Sequence, residues 1–244
     1  FYPPHLGQGD FLRHYASQFC TVEINNTFYQ LPDKDTFVRW REMVPDSFQF
    51  AVKANRYITH MKKLRDPEEP LARMMQAVCM LKTKLGPVLF QLPPNWHVNV
   101  QRFRSFLKIL PKEHQYAFEF RDPSWFDPRV YDLLRAHDVA FCIHDLAGAP
   151  SPEVMTSDVV YVRLPANRVR YQGQYTTQML TRWAGIFSTW AREGKEIYCY
   201  FNNDARGYAP QNALDLQGMI DTLAVRIASW TSSLSWEASI MNPL

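Results

Sequence analysis

The sequence predicts an α/β fold, a (β/α) barrel in which a parallel sheet is wrapped in helices. The first reason is a set of short runs rich in Val, Ile, Phe and Tyr at residues 21–26, 48–55, 88–92, 116–121, 139–145, 159–164 and 196–203. Their lengths and apolar content suit strands buried on both faces. The second is that helical patterns lie between most of these runs, the alternation that builds a helix-covered parallel sheet. The third is that no change of composition divides the 244 residues, a length that (β/α) barrels reach as one unit. A doubly wound open sheet would usually bring a Gly-rich first turn. Neither G-x-G-x-x-G nor G-x-x-x-x-G-K-[ST] occurs, and Gly7-Gln8-Gly9 lacks the third glycine.

The first helix is expected at 10–19, where Leu12, Tyr15, Ala16 and Phe19 share a face and Asp10 can serve as N-cap. Residues 36–44 carry Phe37, Trp40 and Val44. Residues 70–85 carry Leu71, Met74, Met75, Val78 and Leu81, and Gly86 suits the position just past a helix end. Residues 100–110 carry Phe103, Phe106, Leu107 and Leu110. Asp127-Pro128 reads as a cap followed by a first-turn proline, opening 128–137. Residues 177–193 carry Leu180, Trp183, Phe187 and Trp190 before Gly194, a spacing that makes the tryptophans core residues. The last helix covers about 209–224.

Seven strands are one short of a barrel. Residues 1–9 read as a loop, so the strand that should precede helix 10–19 is missing from this chain. The barrel is assigned to 1–228 and a C-terminal tail to 229–244. Either a strand lies upstream or the barrel has an open seam beside Glu23.

Composition narrows the classes. The chain is 46% hydrophobic, with 16 Phe, 12 Tyr and 7 Trp, which excludes a disordered chain. A net charge of +3 admits an anionic ligand but is far from a basic nucleic-acid-binding tail. Cys20, Cys79, Cys142 and Cys199 are dispersed in apolar stretches without a C-x-x-C pair, and read as buried free thiols in a reduced, cytoplasmic setting. No apolar run of about 18 residues suggests a membrane span.

The polar residues gather at the C-terminal ends of the strands, where a barrel builds its active site. Glu23, Asn25 and Asn26 end the first, Lys53 and Asn55 the second, and Gln91 the third. Glu119, Arg121 and Asp122 end the fourth, His144 and Asp145 the fifth, Arg163 the sixth, and Asn202, Asn203 and Asp204 the seventh. Strand alternation puts Glu23 with Asn25, Lys53 with Asn55, and Glu119 with Arg121. Carboxylates at such positions need partners, because an unpaired buried charge costs several kcal/mol. A structural ion-pair layer satisfies that need. So does an active site, in which Glu23 and Glu119 are an acid/base pair of the kind used on sugars, or with Asp145, His144 or His60 bind a divalent metal. No H-E-x-x-H and no close His pair occur. Lys53 is a Schiff-base candidate if desolvated, although a neighbouring carboxylate would keep it protonated. A clamp of Lys53, Arg121 and Arg163 on a phosphate or carboxylate is the simpler role. His60 lies in a basic loop with Arg56, Lys62, Lys63 and Arg65. Arg168, Arg170, Tyr171 and Tyr175 form a second basic-aromatic loop able to stack on bases or sugars.

Several stretches resemble one known family. They are Phe1-Tyr2-Pro3; Val22-Glu23-Ile24-Asn25-Asn26-Thr27-Phe28-Tyr29; Phe50-Ala51-Val52-Lys53-Ala54 with Thr59-His60; and Lys84-Leu85-Gly86-Pro87 through Pro94. Further on come Glu119-Phe120-Arg121 with Ser124-Trp125-Phe126, Tyr161-Val162-Arg163-Leu164 and Tyr200-Phe201-Asn202-Asn203-Asp204. Together they are similar to the family called domain of unknown function 72, the YecE-like family. The resemblance implies a TIM-like barrel and no settled reaction. Its motifs fall on Glu23, Asn25, Lys53, His60, Gln91, Glu119, Arg121, Arg163, Asn202, Asn203 and Asp204. Two departures stand out. The family's Gly-x-Ser-Gly-Trp strand before Phe-Tyr-Pro is absent, and Pro165-Ala166 stands where His-Gly is usual. The resulting expectation is a barrel enzyme, hydrolase- or lyase-like, acting on a small anionic or sugar-like compound. Glu23, Glu119, Lys53 and Asp145 would be its catalytic groups, and Asn25, His60, Gln91, Arg121, Arg163, Asn202, Asn203 and Asp204 its binding groups. A non-catalytic module for a phosphorylated ligand or nucleic acid, and a metal-dependent nuclease-like barrel, are the alternatives.

Overall fold

A computed structural model describes residues 1–146, 150–165, 173–203, 207–220 and 225–231. Eight parallel strands close into a barrel: β1 (Thr21–Ile24), β2 (Gln49–Lys53), β3 (Leu85–Leu92), β4 (Tyr116–Phe120), β5 (Ala140–His144), β6 (Val159–Pro165), β7 (Glu196–Asn202) and β8 (Val225–Thr231). The first seven fall on the apolar runs of the sequence. The eighth closes the seam: β8 pairs with β7 from Val225 to Ser229, and with β1 at Glu23 and Ile24. No strand precedes the first helix among the described residues. The edge of β1 expected to lie open is covered from the C-terminal side, and β8 runs across the point where a tail was expected to begin. The segment 232–244 lies outside the described residues, as do Ala166, Arg168, Arg170, Tyr171 and Asp204.

The helices are α1 (Phe11–Gln18), α2 (Lys34–Met43), α3 (Glu68–Val78), α4 (Val100–Lys108), α5 (Pro128–Ala136), α6 (Thr177–Arg192) and α7 (Tyr208–Gly218). The Asp127 side chain caps α5 by accepting from Arg129 N at 2.8 Å, and Gly194 takes the left-handed conformation (φ 82°) after α6. Two local expectations give way. Asp10 has helical backbone angles and makes no side-chain cap bond. Helix α3 stops at Val78, where Cys79–Lys84 tightens into 3-10 turns, and Gly86 lies inside β3 rather than after a helix. A Cβ at Gly86 would come into close van der Waals contact, 3.4 Å, with the Phe50 carbonyl oxygen.

The strands are buried on both faces, as a helix-covered parallel sheet requires. Outward-facing Phe118 and Phe120 meet Phe103 of α4 and Trp125 at ring-centroid distances of 5.0–5.7 Å. Trp183, Phe187 and Trp190 bury the inner face of α6. The inward-facing layer is different in kind. Tyr200 and Thr21 share a hydrogen bond of 2.8 Å near its base, and above them the lining turns polar. Cys142 and Cys199 are buried, Cys79 is half-buried, and Cys20 is exposed, contrary to a uniformly buried set. All four are free thiols. Among the described residues no helix is long and apolar enough to cross a membrane.

Candidate functional site at the barrel mouth

The alternation of β1, β4 and β6 sends Glu23, Glu119 and Arg163 into the barrel, where all three are buried. One guanidinium joins the two carboxylates. Arg163 Nη1 donates to Glu119 Oε2 at 2.5 Å, and Nη2 donates to Glu23 Oε1 at 2.9 Å. The remaining acceptor positions are also engaged. Asn25 Nδ2 donates to Glu23 Oε1 at 3.0 Å, and Tyr161 OH donates to Glu23 Oε2 at 2.5 Å. Gln91, opposite Glu119 in the β3–β4 register, donates to Glu119 Oε2 at 2.9 Å, and Arg121 Nε lies against Glu119 Oε1. Burial alone would raise the Glu119 carboxyl; Arg121 and Arg163 beside it prevail and hold it well below the usual carboxylate range.

Lys53 ends β2 on the same interior face, 6% exposed, with Nζ 4.2 Å from the centroid of the Phe28 ring. Burial, reinforced by the charge of Arg163, brings its amine down to about 7, against the opposing pull of Glu119 and Glu23. The neighbouring carboxylates therefore do not keep it fully protonated at neutral pH. His60 lies above it in a single π turn, Tyr57–Met61, with its ring edge-on to Phe28 at 4.9 Å and Nδ1 2.9 Å from Thr59 Oγ1. Burial and the Lys53 charge lower the His60 imidazole to about 4, so it is neutral at pH 7. His144 faces inward at the end of β5. Its Nε2 donates to the Phe120 carbonyl at 3.2 Å, and burial lowers its pKa. Apart from Glu119 Oε1, which lies against Arg121, two acceptors of the site are buried with no hydrogen-bond partner among the described residues, His144 Nδ1 and Asn25 Oδ1.

The expected residues do not all share one centre. Glu23, Asn25, Lys53, His60, Gln91, Glu119, Arg121 and Arg163 are brought together. Asp145 follows the last residue of β5; its carboxyl is raised by burial, and the groups acting on its charge are Arg182 of α6, His144 and Glu153. Asn203 serves the scaffold, donating from Nδ2 to Gly173 O and to Asn212 Oδ1, each at 2.9 Å. Asn202 is buried at the end of β7, and Asp204 lies outside the described residues. Tyr161 belongs to the site without having been expected there, and His144, expected only as a possible metal ligand, lines it as well. For Tyr161 the available signal was its i, i+2 relation to Arg163 on one strand. The donor set does not suit a divalent ion. Both carboxylates are committed to arginines, and among the described residues no three His, Cys, Asp or Glu side chains converge as ligands.

On the rim, Tyr29, Tyr57 and Met61 are exposed. The Arg56 guanidinium lies 5.6 Å from the centroid of Tyr29, and Lys62 Nζ lies 5.8 Å from that of Tyr57. The loop behind them has positive φ at Lys63, Leu64 and Asp66, a conformation L-residues hold only when their surroundings impose it. The buried Leu64 side chain anchors it.

The fold recurs in known proteins. The model of the family described as "Protein of unknown function DUF72" matches residues 1–234. The chain belongs to the DUF72 family. Among the relatives of this DUF72 chain is the UPF0759 protein YunF of Bacillus subtilis, 27% identical, with 90% of each chain covered. The UPF0759 protein YecE of Escherichia coli is 33% identical over 47% of this chain and 43% of its own. A crystal structure of a DUF72 family protein from Thermotoga maritima superposes with a TM-score of 0.79 at 28% identity, covering 89% of this chain and 92% of that one. A DUF72 family protein from Enterococcus faecalis shares the fold with a TM-score of 0.75 at 22% identity, covering 88% and 92%. The TIM-like barrel is thus the architecture of this DUF72 chain and of its solved relatives.

Proposed function

We propose that this DUF72 barrel is a cytoplasmic enzyme that binds a small anionic or sugar-like compound at its C-terminal mouth and transfers a proton on it, in a reaction of the hydrolase or lyase kind. The observation that carries the reading is Lys53, a buried amine held near pH 7 between arginine-bound carboxylates. A group with a pKa near the working pH can both take and give a proton, the condition for efficient general acid–base catalysis. Glu119 is poorly suited to act as the acid itself. A glycosidase-type acid needs a raised pKa, and Glu119 is held ionised. In this reading Glu23 and Glu119 form the fixed frame that aims Arg163 and Arg121, while Arg121, partly open to solvent, meets the anion. Asn25 Oδ1 and His144 Nδ1 are acceptors suited to the hydroxyls of a sugar-like ligand.

The test is a thermal-shift screen of phosphosugars and hydroxy or oxo acids, followed by kinetics on whichever compound turns over. Lys53→Met is expected to lower turnover by about 10²- to 10⁴-fold. The wild-type rate should rise with pH through about 7 if the neutral amine is the base. Unchanged turnover in Lys53→Met, with the variant folded, would refute the assignment.

A second reading is favoured by the rim. Exposed Tyr29 and Tyr57, each with a cation against its ring, have the aromatic-basic character of surfaces that bind single-stranded nucleic acid. On this reading, oligonucleotide affinity falls steeply with salt. Tyr29→Ala or Tyr57→Ala then weakens it by about 1–3 kcal/mol each. Absent binding, or binding indifferent to both tyrosines, counts against it.

A further inference from the structure

We propose that Lys53 is a nucleophile as well as a proton carrier, and that its Nζ condenses with the carbonyl carbon of a small anionic aldehyde or ketone lying between Lys53 and Arg121. This rests on the reading of the mouth as an enzyme site and names its substrate class.

The geometry meets the requirements of an imine-forming lysine. The amine is on the interior face of β2 at the strand end, where a barrel places its chemistry. It is desolvated, resting on the Phe28 ring, and desolvation beside other cations is one of the ways a lysine is made nucleophilic. The cations are Arg163 and Arg121. Glu23 is bound by Arg163, Asn25 and Tyr161, and Glu119 by Arg163, Arg121 and Gln91, and the pull of both carboxylates on the amine is outweighed by burial and the arginine charges. Arg121 supplies a partner for a phosphate or carboxylate on the substrate. Asn25 Oδ1 and His144 Nδ1 can accept from hydroxyls or from the carbinolamine O–H.

In the step itself the nitrogen lone pair forms a C–N bond, and the carbonyl π pair moves to oxygen. The proton lost by nitrogen passes to that oxygen, giving a carbinolamine. Protonation of its hydroxyl then expels water and leaves a protonated imine. One amine, one carbonyl and one proton give one iminium and one water, with no change of oxidation state. The iminium carries the same charge as the ammonium it replaces, in the same field of Glu119 and Glu23.

The experiment is reductive trapping of the full chain with glyoxylate and with glyceraldehyde 3-phosphate in the presence of cyanoborohydride, read by peptide mass spectrometry. The expected result is a reduced adduct on Lys53 that forms at least tenfold faster than on exposed lysines such as Lys34 and Lys112. The adduct should be absent in Lys53→Arg, and wild-type labelling should slow in excess inorganic phosphate. Labelling spread over exposed lysines with Lys53 unmodified overturns the inference. Thermal shifts with the same two probes separate the two failures. A probe that stabilises the chain without labelling Lys53 leaves the acid–base reading standing, whereas a probe that does neither counts against both.

Discussion

Arg163→Met is expected to lower the free energy of unfolding by about 3–5 kcal/mol, measured by urea titration near pH 7. Arg163 bridges Glu23 and Glu119, and all three lie inside the barrel. Removing the guanidinium leaves two buried carboxylates facing each other, with the charges of Arg121 and Lys53 nearby to offset them in part. A loss of this size is a large part of the roughly 5–15 kcal/mol that holds a typical domain together. The triple substitution Glu23→Gln, Glu119→Gln and Arg163→Met should recover much of it, since replacing a whole buried ion set is often neutral whereas breaking one is not. The pH dependence should also reverse. In the wild type the native pKa of Glu119 is depressed below its unfolded value. Its contribution is complete above the unfolded carboxylate range, about 4.3, and is lost as pH falls toward the native pKa. Without Arg163, burial dominates and raises the native pKa. The protonated form is then favoured in the fold, so the variant gains stability as pH falls and loses it as pH rises above the unfolded value. A loss below about 1 kcal/mol, or a slope of the same sign in both proteins, would show that the bridge is not the organising contact of the mouth.

The mouth was legible in the sequence to the extent that strand alternation is a local property. Glu23, Lys53, Glu119, Arg121 and Arg163 each interrupt an apolar run at a position whose parity points inward, and the barrel joins them because all its strands run the same way. Asp145 lies one residue past the end of β5, where strand parity no longer fixes the direction of a side chain. Tyr161 shares the inward parity of Arg163, but an aromatic in an apolar strand reads as packing, and its hydroxyl contact with Glu23 gives it a polar role. The state of Lys53 was readable only as a condition. A carboxylate nearby argues for a protonated amine and desolvation argues against it, and what decides the outcome is the depth of burial and the charge of Arg163, a matter of three-dimensional arrangement. Strand β8 was missed for a related reason. Val225-Arg226-Ile227-Ala228 is a weak strand pattern by itself and gains its structure from the exposed edges of β7 and β1.

Trp125→Ala is expected to cost about 3–5 kcal/mol, the range for emptying a buried aromatic site. Trp125 is fully buried beneath the mouth, in the 3-10 turn Pro123–Trp125 that follows Arg121 and Asp122. Its ring stacks on Phe120 at 5.1 Å with an 11° interplanar angle and meets Trp96 edge-on at 5.0 Å, while Nε1 donates to the Trp96 carbonyl at 2.5 Å. Trp125→Phe keeps a ring over Phe120 but loses that hydrogen bond, so its cost should be nearer 1–2 kcal/mol. The gap between the two variants separates packing from polar satisfaction. The functional consequence follows from chain geometry. Phe120 faces outward onto Trp125, and its two neighbours, Glu119 and Arg121, face inward and touch each other. The Ser124 hydroxyl meanwhile accepts from Val98 N at 2.9 Å and ties the β3–α4 loop to the same turn. Emptying the space behind Phe120 frees the end of β4 to shift, and a displacement near 1 Å at a reacting centre can cost about 10²-fold in rate. At a temperature where Trp125→Ala remains folded, cyanoborohydride trapping of glyoxylate at Lys53 should therefore slow by about that factor, while Trp125→Phe stays close to wild type. Equal rates in all three proteins would show that the register of Arg121 does not depend on the aromatic stack beneath it.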